Sequence, residues 1–142
     1  MPPATGQETI APGSHPAADE APAMKVLLTG ASGFVGSHVL DTLHRQAIPT
    51  RILLRRSSSR RFIQDRLEGV EVAEGGLDQP GPLRDAMQGI THVIHCAGLV
   101  KALRRQDFFE ANQRGTRHVV DAANAAGVRR LIHVSSLAAA GP

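Results

Sequence analysis

Residues 25–38 read Lys25-Val-Leu-Leu-Thr-Gly-Ala-Ser-Gly-Phe-Val-Gly-Ser-His38. A short apolar run leads into glycines at 30, 33 and 36, and a helical pattern follows. Each glycine has a separate physical use. Gly30 lets the chain turn sharply off a strand. Gly33 lets the backbone approach a pyrophosphate. Gly36 lets the new helix pack closely on the sheet. The free N–H groups and positive end of that helix would then face the phosphates. Gly30, Ala31, Ser32, Gly33, Phe34, Val35 and Gly36 are therefore expected to form a dinucleotide site. A glycine triplet alone is a weak signal, but a strand before it and a helix after it supply the required context.

The chain beyond this turn alternates strand and helix patterns. Lys25–Thr29 reads as a strand that is apolar on both faces, as a central parallel strand should be. Val35, Val39, Leu40 and Leu43 recur at helical spacing, giving a helix to about Arg45. Thr50–Leu54 is a second strand, and Ser57–Ser59 can cap a short helix through Leu67. Val70–Ala73 is a weaker strand, and Pro82–Gln88 a short helix closed by Gly89. Thr91–Cys96 is a fourth strand. Phe108, Asn112, Gly115, Val119, Ala122 and Ala126 share one face of a long helix that Gly127 ends, and Arg130–Ser135 is a fifth strand. This pattern predicts an α/β fold: a doubly wound parallel sheet with helices on both faces. The expected strand order is 3-2-1-4-5, with ligand at the carboxyl ends of strands 1 and 4, where the winding reverses.

The 142 residues suggest one domain. Residues 1–23 are rich in Pro, Ala, Gly and Ser without apolar periodicity, so they are expected to be a disordered tail ahead of a domain at 24–142. No apolar run is long enough to span a membrane, and the start lacks the basic and apolar regions of a secretory signal. The single cysteine, Cys96, excludes an internal disulfide and fits a reducing compartment, so a cytoplasmic location is expected. A net charge of +3, with no Trp or Tyr and only four Phe, argues against nucleic acid as a partner.

Several spaced motifs together carry a family resemblance. They are Thr29-Gly-Ala-Ser-Gly-Phe-Val-Gly36, His95-Cys-Ala-Gly98, Asn112-Gln-Arg-Gly-Thr116 and Val134-Ser-Ser-Leu-Ala-Ala-Ala-Gly-Pro142. The chain from Met24 onward resembles the extended short-chain dehydrogenase/reductase group, the NAD-dependent epimerase/dehydratase family. The resemblance implies a Rossmann domain whose parent enzyme acts on a secondary alcohol, ketone or nucleotide-sugar type substrate. It implies that Cys96, Ala97 and Gly98 line the nicotinamide ribose, that Leu77 borders the cofactor, and that Asn112 orders the central helix and neighbouring backbone. Ser136 matches the family's Ser/Thr that hydrogen-bonds the reacting hydroxyl or carbonyl, with Ser135 as its alternative. His95 and His133 are expected to be packed or hydrogen-bonded, with no metal site. A homodimer is the family's usual assembly.

Strand 2 ends in Arg55-Arg56-Ser-Ser-Ser-Arg60-Arg61 with no carboxylate. An acid there would accept from a ribose 2′-OH, whereas an arginine accommodates a 2′-phosphate. Arg55 and Arg56 are therefore expected to favour NADP over NAD. After strand 3 the family usually has Gly-Asp-Leu. This chain has Gly75-Gly76-Leu77, with Asp78 as its next carboxylate. Asp78 either substitutes from a shifted loop or leaves the adenine short of a polar contact. The family's Tyr-x-x-x-Lys pair is also missing, since the chain contains no tyrosine. Two readings follow: the cofactor-binding part of an oxidoreductase or epimerase, truncated after strand 5 and inactive by itself, or a non-catalytic NADP(H)-binding or redox-sensing module.

Overall fold

The structure, a computed structural model, describes residues 22–140. Nearly all of the expected tail, residues 1–21, and the Gly141-Pro142 end of the last motif lie outside them. Five strands, β1 (Val26–Thr29), β2 (Thr50–Leu54), β3 (Glu71–Glu74), β4 (His92–His95) and β5 (Arg130–His133), form one sheet in the order β3-β2-β1-β4-β5. Every neighbouring pair is parallel. The fold is Rossmann-like, as the alternating pattern implied.

β1 lies at the centre and is buried along its whole length. Leu27 and Leu28 point to opposite faces, and both are fully buried. Leu28 joins Leu40, Ile52 and Ile63 beneath α1 (Phe34–Arg45). Leu27 joins Leu83, Val93 and Val119 beneath α2 (Pro80–Ala86) and α4 (Gly115–Ala125). Burying each such side chain stabilises the fold by about 1.5–3 kcal/mol. At the opposite extreme, β5 is an edge strand, mostly exposed.

Two helical expectations are corrected. No helix follows Ser57–Ser59; the segment forms turns and one short 3-10 turn, Gln64–Arg66. Its single fully buried apolar residue, Ile63, gives no helical stripe to bury. The long central helix is interrupted. α3 (Arg105–Phe108) runs into a π-helical turn, Phe109–Arg114, before α4 begins. Ala123 rather than Ala126 is buried on α4, beside Gly115 and Val119.

Candidate functional site

Strand order reverses between β1 and β4, and a cleft of about 510 Å³ opens there at the carboxyl ends of the strands. This is an ordinary size for a small-molecule site. Its floor includes Thr29, Gly30 and Ser32, one flank brings Arg55, Ser58 and Leu77, and the other brings Ala97 and Gly98. The π-turn and α4 close it with Glu110, Arg114 and His118.

The glycine turn works by close backbone approach. Gly30 has φ +76°, and a Cβ on it would lie 2.5 Å from the Ala97 nitrogen. A Cβ on Gly36 would strike the Gly30 carbonyl. The Gly33 nitrogen donates to the Gly30 oxygen at 3.0 Å, and the Ser37 nitrogen to the Gly33 oxygen at 2.9 Å. Ala31 is buried in the core beneath α1, and Phe34 and Val35 are exposed at the helix start. The missing side chain at Gly30 lets the turn close directly on the Cys96–Ala97 backbone at the end of β4.

Side-chain alternation sorts the remaining expected residues. Arg55 reaches the cleft, whereas Arg56 is not among the cleft-lining residues and pairs with Glu74 at 2.9 Å. Ala97 and Gly98 line the cleft. Cys96 does not, because one residue earlier its thiol faces the core beneath α1. Burial raises the pKa of that thiol. Ser136 is exposed between β5 and a short 3-10 turn, Leu137–Ala140, and is not among the cleft-lining residues. Asp78 lines the cleft and folds its carboxylate back to where a Cβ on Gly76 would stand.

Three side chains of the π-turn and α4 bind the surrounding segments. Asn112 Nδ2 donates to the Leu99 oxygen at 2.9 Å, and its Oδ1 accepts from the Leu99 nitrogen at 2.7 Å. Thr116 Oγ1 lies 3.0 Å from His95 Nε2. His118 Nδ1 lies 2.7 Å from the Leu77 oxygen and so must donate to it. Of these, the sequence pointed to Asn112 alone, whose amide needed partners. Thr116 and His118 gave no signal of their own. His95 is fully buried, with Nδ1 2.6 Å from Thr29 Oγ1 and its ring stacked on His133 at 5.1 Å. Burial, with the nearby His133, lowers its pKa to about 4. Among the described residues no cluster of three or more His, Cys, Asp or Glu could hold a metal ion, and no helix is long and apolar enough to cross a membrane.

A Rossmann-like sheet with a glycine turn at its switch point defines the broad class of this domain. Residues 26–142 match the NAD dependent epimerase/dehydratase family, and the chain belongs to it. It is 43% identical over 117 residues to the ceramide reductase of Caulobacter vibrioides, covering 82% of this chain and 36% of that protein. It is 37% identical over 122 residues to sterol demethylase protein B of Methylococcus capsulatus, covering 83% and 36%. Among solved structures, the UDP-glucose 4-epimerase of Thermus thermophilus in complex with NAD aligns with a TM-score of 0.65 at 28% identity, covering 76% of this chain and 36% of that one. The chain spans about a third of the length of the curated relatives it matches.

Proposed function

We propose that this domain holds NAD(P) across the carboxyl ends of β1 to β4, with NADP(H) preferred, and serves as the cofactor-binding part of an oxidoreductase or epimerase. The observation that carries this reading is the meeting, in one cleft, of the bare glycine turn, Arg55 and the small residues Ala97 and Gly98. The Gly30 turn and the start of α1 suit a pyrophosphate. The guanidinium fork of Arg55 suits a 2′-phosphate. When bound, the nicotinamide would give or take a hydride. The residues of this chain bind and orient it. None of them is a tyrosine, so proton transfer is not assigned to a side chain here.

The substrate class favoured is a bulky apolar secondary alcohol or ketone. Val100 and Leu103 in the segment after β4, and Leu137 after β5, are each more than 90% exposed. A nucleotide sugar would more naturally meet polar groups. Relatives named for ceramide and sterol chemistry support the apolar reading. The single cysteine fits a reducing, cytoplasmic setting.

Calorimetric titration tests the cofactor claim. NADPH is expected to bind more tightly than NADH. Arg55→Asp should weaken NADPH by roughly tenfold or more, the scale of a lost charge-assisted hydrogen bond, and NADH much less. Arg56→Ala should leave both within about twofold, because exposed ion pairs such as Arg56–Glu74 contribute little. Failure of the wild-type domain to bind either dinucleotide would refute the assignment. Equal losses for NADPH and NADH in Arg55→Asp would refute the 2′-phosphate role alone.

A further inference from the structure

Thr29, His95 and His133 stand side by side on β1, β4 and β5, in one register row of the sheet. Elsewhere this row is apolar, with Leu53 on β2 and Ala73 on β3. His95 has no exposed surface, yet each of its ring nitrogens meets a threonine hydroxyl. Thr29 lies on the cleft floor, whereas Thr116 lies on α4, away from the cleft lining.

We infer that His95 is a positioning residue for the cleft: it ties the Thr29 hydroxyl on the floor to the first turn of α4 on the wall, so that a dinucleotide meets a preset shape. The inference rests on reading the cleft as a dinucleotide site.

The chemistry of the three groups supports it. A hydroxyl can donate or accept, so a neutral imidazole between two hydroxyls is satisfied in either tautomer. A buried polar group without such partners would be costly, which locks the arrangement once it forms. Burial and His133, the titratable group acting on the ring, keep it neutral at ordinary pH. β1 and α4 contribute only Thr29 and Thr116 to its bonding. Two residues beyond Thr116, His118 grips the Leu77 carbonyl. A shift of the first turn of α4 would therefore move the floor contact and the Leu77 loop together.

The test uses the wild-type domain with Thr116→Val, His95→Phe and His95→Gln, titrated with NADPH by calorimetry. Nitrogen-15 NMR of the imidazoles follows the same titration. Thr116→Val removes one hydroxyl outside the cleft at nearly constant shape. It should weaken NADPH about fivefold, the scale of one net hydrogen bond. His95→Gln should recover part of the affinity that His95→Phe loses. The His95 ring nitrogens should shift on NADPH addition although the ring is fully buried. Where His95→Phe does not fold, Thr116→Val and the ring resonances decide. Wild-type affinity in Thr116→Val, with unmoved His95 resonances, would overturn this inference and leave the dinucleotide reading standing. No binding of NADPH or NADH by the wild type would overturn both.

Discussion

On one side of the cleft, backbone meets backbone. At Gly30 and Gly36 an added methyl would collide with main-chain atoms of Cys96, Ala97 or Gly30 itself. On the other side, side chains do the holding: Asn112 on Leu99, Thr116 on His95, His118 on Leu77. The first wall depends on what is absent and the second on what is present. A wall made of close backbone approach has no slack, because the atoms that would have to move belong to the sheet. A wall made of hydrogen bonds can lose one and relax, at about 1 kcal/mol each.

Substitutions on the two sides should separate accordingly. Gly36→Val should have the largest effect, about 4 kcal/mol in urea unfolding, since the side chain would displace the Gly30 carbonyl and the obstacle is backbone. A loss under about 1 kcal/mol would show that the turn has slack after all. Acid should have the next effect, through His95. Its pKa is 6.5 in the unfolded chain and about 4 in the fold, so the unfolded state takes up the proton first. Stability is complete above about pH 6.5 and declines as pH falls toward 4, by about 3 kcal/mol at roughly 1.36 kcal/mol per pKa unit. The carboxyls of Asp41 and Glu71, held low by hydrogen bonds from Arg66 and Lys25, add their losses only below about pH 4.5. Unfolding free energies that stay flat between about pH 6.5 and 4.5 would mean that His95 is not kept neutral. Asn112→Ala should have the smallest effect, roughly 1 kcal/mol, because the two bonds it loses to Leu99 lie at an exposed position. Faster amide exchange confined to residues near Leu99 would confirm that the damage is local, and exchange spreading to β1 would contradict it.

The same division explains what could be read from the sequence. Strands and their order follow from apolar runs separated by turn residues, and β1, β2 and β4 lie within a residue or two of their expected ends. The glycine wall was legible because glycine spacing is a backbone property. Cys96 and Arg56 fall outside the cleft lining although Ala97 and Arg55 beside them are in it, because near a strand end a shift of one residue exchanges faces. The π-turn left no trace, since Phe108, Asn112, Gly115 and Val119 fit an unbroken α-helical stripe equally well. His118 is one of seven histidines, and only the fold brings it to Leu77, 41 positions earlier. Contacts across the cleft depend on distant segments meeting, and local patterns carry none of that information.

The position of β1 also bears on how the domain is made. Val26 pairs with Thr50 on one side and with His92 on the other. During synthesis, the first partner emerges after a couple of dozen residues. The second emerges only after more than sixty, several seconds later at about 5–20 residues per second. Until then the most apolar strand of the molecule has one open edge, with its N–H and C=O groups toward β4 unpaired. Closing that gap joins residues more than sixty positions apart, the slow kind of event in folding. The newborn chain is thus most exposed to misassociation at the strand that later becomes its best-protected element.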